Sequence, residues 1–60
     1  MNGPGLKALR RRKHITTIAL AERTGWARRR ISQLEGQAKV SERDVTRYLD
    51  ALATFQEAVA

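Results

Sequence analysis

The 60-residue sequence has no cysteine, one histidine, one proline, and one each of tryptophan, tyrosine and phenylalanine. Without cysteine there is no disulfide and no thiolate metal site. A lone His14 cannot build a histidine-rich metal centre, so no metal or cofactor is expected. Catalysis lacks its usual groups too: there is no thiol, a single imidazole, and no cluster of carboxylates suited to a cleft. No apolar run approaches the ~20 residues that span a bilayer. The first residues, M-N-G-P-G-L-K, have no apolar stretch behind a basic one, so no secretory signal is expected. These absences predict a cytoplasmic protein that uses neither a membrane nor a small molecule. They also remove two supports for a small fold. A chain this short buries only about 60% of the surface it exposes when unfolded. Disulfides, a metal or a partner chain usually make up the deficit, and only the partner remains.

What is present is positive charge, unevenly placed. The net charge is +6. Residues 1–39 hold ten Lys and Arg against Glu22 and Glu35, net +8, while residues 40–60 hold Arg43 and Arg47 against Glu42, Asp44, Asp50 and Glu57, net −2. A basic body with a mildly acidic tail suggests a polyanionic partner for the first two thirds. The run Arg11, Arg12, Lys13 reads as a solvated face that supplies general attraction.

Helical periodicity runs along the whole chain, with no strand, repeat or low-complexity segment. Met1 to Gly5 read as a loose arm leading into a first helix, with Pro4 in its first turn and Asn2 or Gly3 as cap. Leu6 and Leu9 give its apolar stripe, and Arg10 to Lys13 place positive charge at its end, which complements the helix dipole. A second helix starts near Thr16, where a threonine can cap and Ile15 with Leu20 has the spacing of a hydrophobic staple. Leu20 and Ala21 face inward and Ile18 outward. Gly25 stops this helix, since the residue past a helix end often needs a left-handed conformation. A third helix follows at once from Ala27, which has no side-chain oxygen and caps weakly; Gly36 ends it. Ser41 opens a fourth, with Asp44 at the capping-box offset. Val45, Tyr48, Leu49, Leu52, Phe55 and Val59 keep helical spacing from there. This helix either runs on unbroken or breaks near Ala53-Thr54, giving a fifth.

The third helix carries the chemistry. On a wheel of about 100° per residue, Ala27, Ile31, Leu34 and Glu35 fall on one side. Arg29, Ser32 and Gln33 fall opposite, with Arg28 and Arg30 on the flanks. Arginine can bind O6 and N7 of guanine bidentately, and glutamine N6 and N7 of adenine. A helix with this face fits a major groove. The joint T-G-W-A before it allows only a sharp corner. Ala21 permits close approach, Gly25 makes the corner, and Ile31 with Leu34 lock the two helices together.

The stretch L-K-A-L-R-R-R-K-H-I-T-T-I-A-L-A-E-R-T-G-W-A-R-R-R-I-S-Q-L-E-G, with Y-L-D-A-L later, resembles the Cro and lambda-type repressor (Xre) helix-turn-helix family over residues 6–52. The resemblance implies an all-α, lambda-repressor-like domain over residues 1–60, of four helices, or five if the last one breaks, with its helix-turn-helix at about 16–35. It implies an ion pair between Arg10 of the first helix and Glu35 closing the third. Arg28, Arg29, Ser32 and Gln33 match the base-reading positions. Thr16 and Thr17 match the phosphate-holding start of the second helix; Lys39 and Arg43 match backbone contacts in and after the next loop, Arg43 also being within reach of a minor groove. Arg30 points sideways, toward phosphate. Thr17 stands where the family often has glutamine, Trp26 where it has a smaller apolar residue, and Ala27 where it has serine or threonine. Trp26 belongs either to the core or beside the DNA backbone. Residues 53–60 lack the turn that normally precedes a fifth helix. Phe55 and Val59 there either cover the first helix or form a dimer contact, and a dimer contact is expected.

The function expected is a sequence-specific regulator of transcription, a small Cro-like repressor of phage or mobile-element type. It would bind a near-palindromic site on double-stranded DNA as a homodimer, in the nucleoid of a bacterial or phage-infected cell. The alternative is an antitoxin or adaptor that uses the domain and its last helix to hold a protein partner. An arginine-rich helix could also bind RNA, but there is no aromatic stacking platform.

Overall fold

The computed structural model describes residues 1–57. Four helices follow one another with short joints: α1 (Gly3–Arg12), α2 (Thr17–Thr24), α3 (Arg28–Glu35) and α4 (Glu42–Glu57). There is no strand among the described residues. α4 passes through Ala53 and Thr54 without a break, so the alternative of a fifth helix starting there does not hold.

The ends of the helices follow from local chemistry. The Asn2 side chain accepts from the Gly5 N–H at 2.7 Å and caps α1. Thr16 Oγ1 accepts from the Ala19 N–H at 3.1 Å and caps α2. Ala27 offers α3 no side-chain cap. Gly25 ends α2 in the left-handed region at φ 81°, its N–H reaching the Ala21 carbonyl at 2.9 Å. Thr24 stitches the same corner from inside. Its buried hydroxyl donates to the Leu20 carbonyl at 2.9 Å and accepts from the Trp26 N–H at 3.2 Å. Arg47 of α4 closes the corner by donating to the Thr24 carbonyl at 2.8 Å. His14, in the joint between α1 and α2, also lies at positive φ, 58°; histidine is among the side chains that tolerate this region best.

α1 and α2 both pack on α3 and on α4. The core takes Leu6 from α1, Leu20 from α2, Ile31 and Leu34 from α3, and Tyr48, Ala51 and Leu52 from α4, with Ile15 and Val40 from the joints. Each fully buried leucine or isoleucine stabilises the fold by about 1.5–3 kcal/mol. Leu49, which keeps helical spacing with the apolar residues of α4, is exposed, because Tyr48 and Leu52 take the inward face of that turn. Met1 to Gly5 do not form a loose arm. The Gly3 N–H donates to the Gln37 carbonyl at 2.8 Å, and the Met1 carbonyl accepts from the Val40 N–H at 3.2 Å. Gly3 is buried so closely against the end of α3 that a Cβ there would collide with the Leu34 carbonyl oxygen and with Glu35. A missing side chain is what allows the arm to dock.

At the centre lies a polar cluster. Arg10 Nε donates to Glu35 Oε2 at 2.8 Å and Nη2 to Oε1 at 3.3 Å, while Nη1 donates to the Ile15 carbonyl at 2.7 Å. The Tyr48 hydroxyl is 2.5 Å from Glu35 Oε2 and 3.2 Å from the Leu6 carbonyl. It carries one proton, and the shorter contact to a charged acceptor takes it. No buried side-chain nitrogen or oxygen among the described residues lacks a partner. The hydrogen bond to Glu35 raises the Arg10 pKa against the opposing effect of burial. Burial, and next the hydrogen bond to Glu35, push the Tyr48 phenol well above its ordinary range.

Glu35→Ala leaves the Arg10 charge buried and unpaired, and is expected to destabilise the fold by about 3–5 kcal/mol. In a domain whose total stability is of order 5–15 kcal/mol, denaturant unfolding will show a large fall in midpoint; a midpoint unchanged from the parent would remove the pair from its central role. The raised Tyr48 pKa gives a second expectation. The neutral phenol is favoured in the folded state, so its contribution is complete below pH ~10 and is lost as pH rises from there toward the folded value. Stability should therefore fall above pH ~10 by up to about 1.4 kcal/mol per pH unit on this account. Tyr48→Phe should be less stable than the parent at neutral pH but show a shallower alkaline decline. Parallel declines in the two proteins would mean that the phenol titrates alike folded and unfolded.

Candidate nucleic-acid interface

α3 is held from behind and open in front. Ile31, Leu34 and Glu35 are buried, which fixes the helix's rotation. Arg28, Arg29, Ser32 and Gln33 are all exposed, as the wheel requires. Arg28 and Arg29 have no ion-pair partner among the described residues. No acidic residue stands in the first turn of α3, and Ala27 leaves its leading N–H groups without a side-chain acceptor. The positive end of the helix dipole thus adds to the guanidinium charge. The Arg28 and Arg29 side of this end of α3 therefore favours an anion.

The expected phosphate contacts separate into three kinds. Lys39, in the α3–α4 joint, and Arg43, in the first turn of α4, are exposed and have no ion pair among the described residues. Thr16 is exposed, Thr17 half-buried. The Thr16 oxygen is already engaged as the cap of α2, which leaves its O–H proton free to donate. Arg30 is different. Its Nη2 lies 3.4 Å from Asp44 Oδ1 of α4, and its guanidinium carbon lies 5.1 Å from the centre of the Trp26 ring. It is engaged within the protein, a partnership the sequence reading missed because fourteen residues separate the two charges. Asp44 sits where a capping box would send its carboxylate back to Ser41. Its N–H does use the Ser41 hydroxyl, at 3.3 Å, but the carboxylate turns to Arg30. Trp26, Arg30, Arg43, Asp44 and Arg47 line an open groove of about 500 Å3 between the start of α3 and α4. Trp26 is half-buried and packs on the core's edge, with Arg30 over its ring.

Of the expected dimer contacts, Phe55 packs against the edge of the core, with the Arg23 guanidinium 4.6 Å over its ring. Val59 lies outside the described residues. Ile18 is more than half exposed. There is no metal-binding cluster among the described residues, and no helix there is long and apolar enough to cross a membrane.

The missing cap on α3 is a measurable weakness. The Ala27 backbone is extended, φ −70° and ψ 151°, as a capping serine needs. Ala27→Ser should raise stability by about 0.5–2 kcal/mol, and the thermal midpoint by roughly 4–8 °C for each kcal/mol. An unchanged midpoint would show that those N–H groups are satisfied already.

A family model described as a helix-turn-helix domain matches residues 3–60 of the chain. No curated protein and no solved structure matches it.

Proposed function

The chain belongs to the Cro-like (Xre) helix-turn-helix domain family, a DNA-binding fold, and from that premise we propose that it is a small sequence-specific repressor that docks α3 in the major groove of double-stranded DNA. One observation carries this: Arg28, Arg29, Ser32 and Gln33 stand exposed on α3 while Ile31, Leu34 and Glu35 anchor its other side. Arg28, Arg29 and Gln33 read base edges, and Ser32 adds a short hydrogen-bonding contact. Thr16 and Thr17 at the start of α2, with Lys39 and Arg43, hold phosphates and set the register. Arg30 reaches a phosphate only by leaving Asp44. A single module covers little DNA, so two copies bind a near-palindromic site with half-site centres about 34 Å apart. The remaining exposed edge of Phe55, together with Val59, supplies the contact between copies.

Selection of bound sites from random duplexes tests the whole proposal. A symmetric site with one-turn spacing is the expected result. An asymmetric site would overturn the dimer, and no enrichment at all would overturn sequence reading. Individual side chains divide by role. Arg29→Ala should lose about 1–3 kcal/mol on the selected site and relax preference at one base pair. Lys39→Ala should weaken all sequences alike and reduce the salt slope by about one. If Arg29→Ala weakened every sequence equally, Arg29 would be a phosphate contact and not a reader.

A further inference from the structure

We infer that Asp44 competes with DNA phosphate for Arg30, and so weakens sequence-independent binding more than binding to the chain's own site; this rests on the DNA-binding function proposed above. The arginine run at the start of α3 is divided. Arg28 and Arg29 are unpaired among the described residues, while Arg30 is held between Asp44 and Trp26. Both holders are themselves positioned. The Asp44 N–H is tied to the Ser41 hydroxyl, and the Trp26 N–H to Thr24 Oγ1, which is buried. The cradle therefore belongs to the fold, whereas the Arg30 side chain in it is 53% exposed and open to exchange.

An exposed ion pair of this kind is weak. It adds little to stability, but it is of the same order as a single phosphate contact, and that makes it an effective competitor. Sequence-independent binding is almost wholly phosphate neutralisation. It comprises many loose poses in which any free guanidinium finds a phosphate. A helix seated in register draws its selectivity from Arg28, Arg29 and Gln33, which Asp44 does not touch. The stacked guanidinium then stays in its cradle. Withholding Arg30 thus falls chiefly on the loose poses. Asp44 acts through Arg30 and is a positioning residue, not a DNA contact.

The test is a double-mutant cycle. Binding of the parent, Asp44→Asn, Arg30→Ala and the double variant is measured on a random duplex and on the selected site, at several salt concentrations. Asp44→Asn should tighten random-duplex binding about two- to fivefold, the range of an exposed ion pair. It should steepen the salt slope by up to about 0.9, with a smaller gain on the selected site. In the Arg30→Ala background the gain should vanish. A gain that survives there reflects bulk charge; no gain means no competition; an equal gain on both duplexes removes the selectivity. Each of these overturns the inference. Acrylamide quenching of Trp26, the only tryptophan, reads the cradle without DNA. Both single variants should make the ring more accessible. Unchanged quenching in Asp44→Asn overturns the cradle whatever the duplexes do, whereas failure of the parent to bind any duplex overturns the DNA-binding proposal itself.

Discussion

The charged contact between Arg10 and Glu35, completed by Tyr48, is what the arrangement of this molecule depends on. Arg10 belongs to α1, Glu35 closes α3, and Tyr48 comes from α4. A third arm of the same guanidinium reaches the Ile15 carbonyl in the joint leading to α2. One group of side chains thus ties three helices and the approach to the fourth. Against a well-packed apolar substitute, such a cluster is not an obvious source of stability. Its value here is directional. A leucine in place of Glu35 could be buried at several rotations of α3, but a carboxylate that must meet Nε, Nη2 and a phenol can be buried at one. That rotation is the one that turns Arg29, Ser32 and Gln33 to solvent. A shift of one residue, about 100°, would drive a guanidinium toward the core. The proposed reading face is therefore set from behind, by a group that touches no DNA.

The same logic explains how so small a chain manages with few aromatic and no covalent supports. Its apolar core takes only one to three side chains from each helix, and the spaces between are closed by polar ties that leave no buried side-chain nitrogen or oxygen unpaired among the described residues. Thr24 and Arg47 do this at the corner between α2 and α3. The Met1 and Gly3 backbone does it at the joint between α3 and α4. Each tie acts at a joint, where apolar surface is scarce and backbone groups would otherwise go unsatisfied. The geometry of the corner thus comes from Gly25 in its left-handed conformation, and its rigidity from Thr24, Trp26 and Arg47 around it.

What was legible in the sequence follows from range. Caps and stops are local, so Asn2, Thr16 and Gly25 could be assigned from their neighbours, and the faces of α3 from period alone. The Arg10–Glu35 pair spans twenty-five residues; no periodicity reveals it, and it came from resemblance to a family whose members pair those positions. Tyr48 was placed in the core by its spacing, but its hydroxyl's partners lie thirteen and forty-two residues away, so its polar role was hidden. Val40 gave no signal because a single buried residue in a joint has no period. Gly3 looked like a flexible residue or a cap because the carbonyls it packs against are over thirty residues distant. Arg30 was assigned to the flank of α3 by the wheel, which is silent about Asp44.

Among the described residues, the start of α3 is the one place where the local rules of helix formation are broken together. It has no side-chain cap, no acidic residue in its first turn, and three guanidinium groups at the positive end of its dipole. Each choice disfavours the isolated helix, and the remaining interactions must hold it. Ile31, Leu34 and Glu35 anchor its body, and Asp44 with Trp26 takes up the charge on the flank nearest α4. Agreement between local preference and fold is the ordinary condition of a stable sequence, and departures concentrate where function requires them. Here the departures all have one sign: every one raises the positive potential at the end of the exposed face. A neutral or capped α3 would fold more readily and attract a polyanion less. The polar cluster at the back of α3, with Ile31 and Leu34 beside it, is what allows that end to remain so cationic and still be helical.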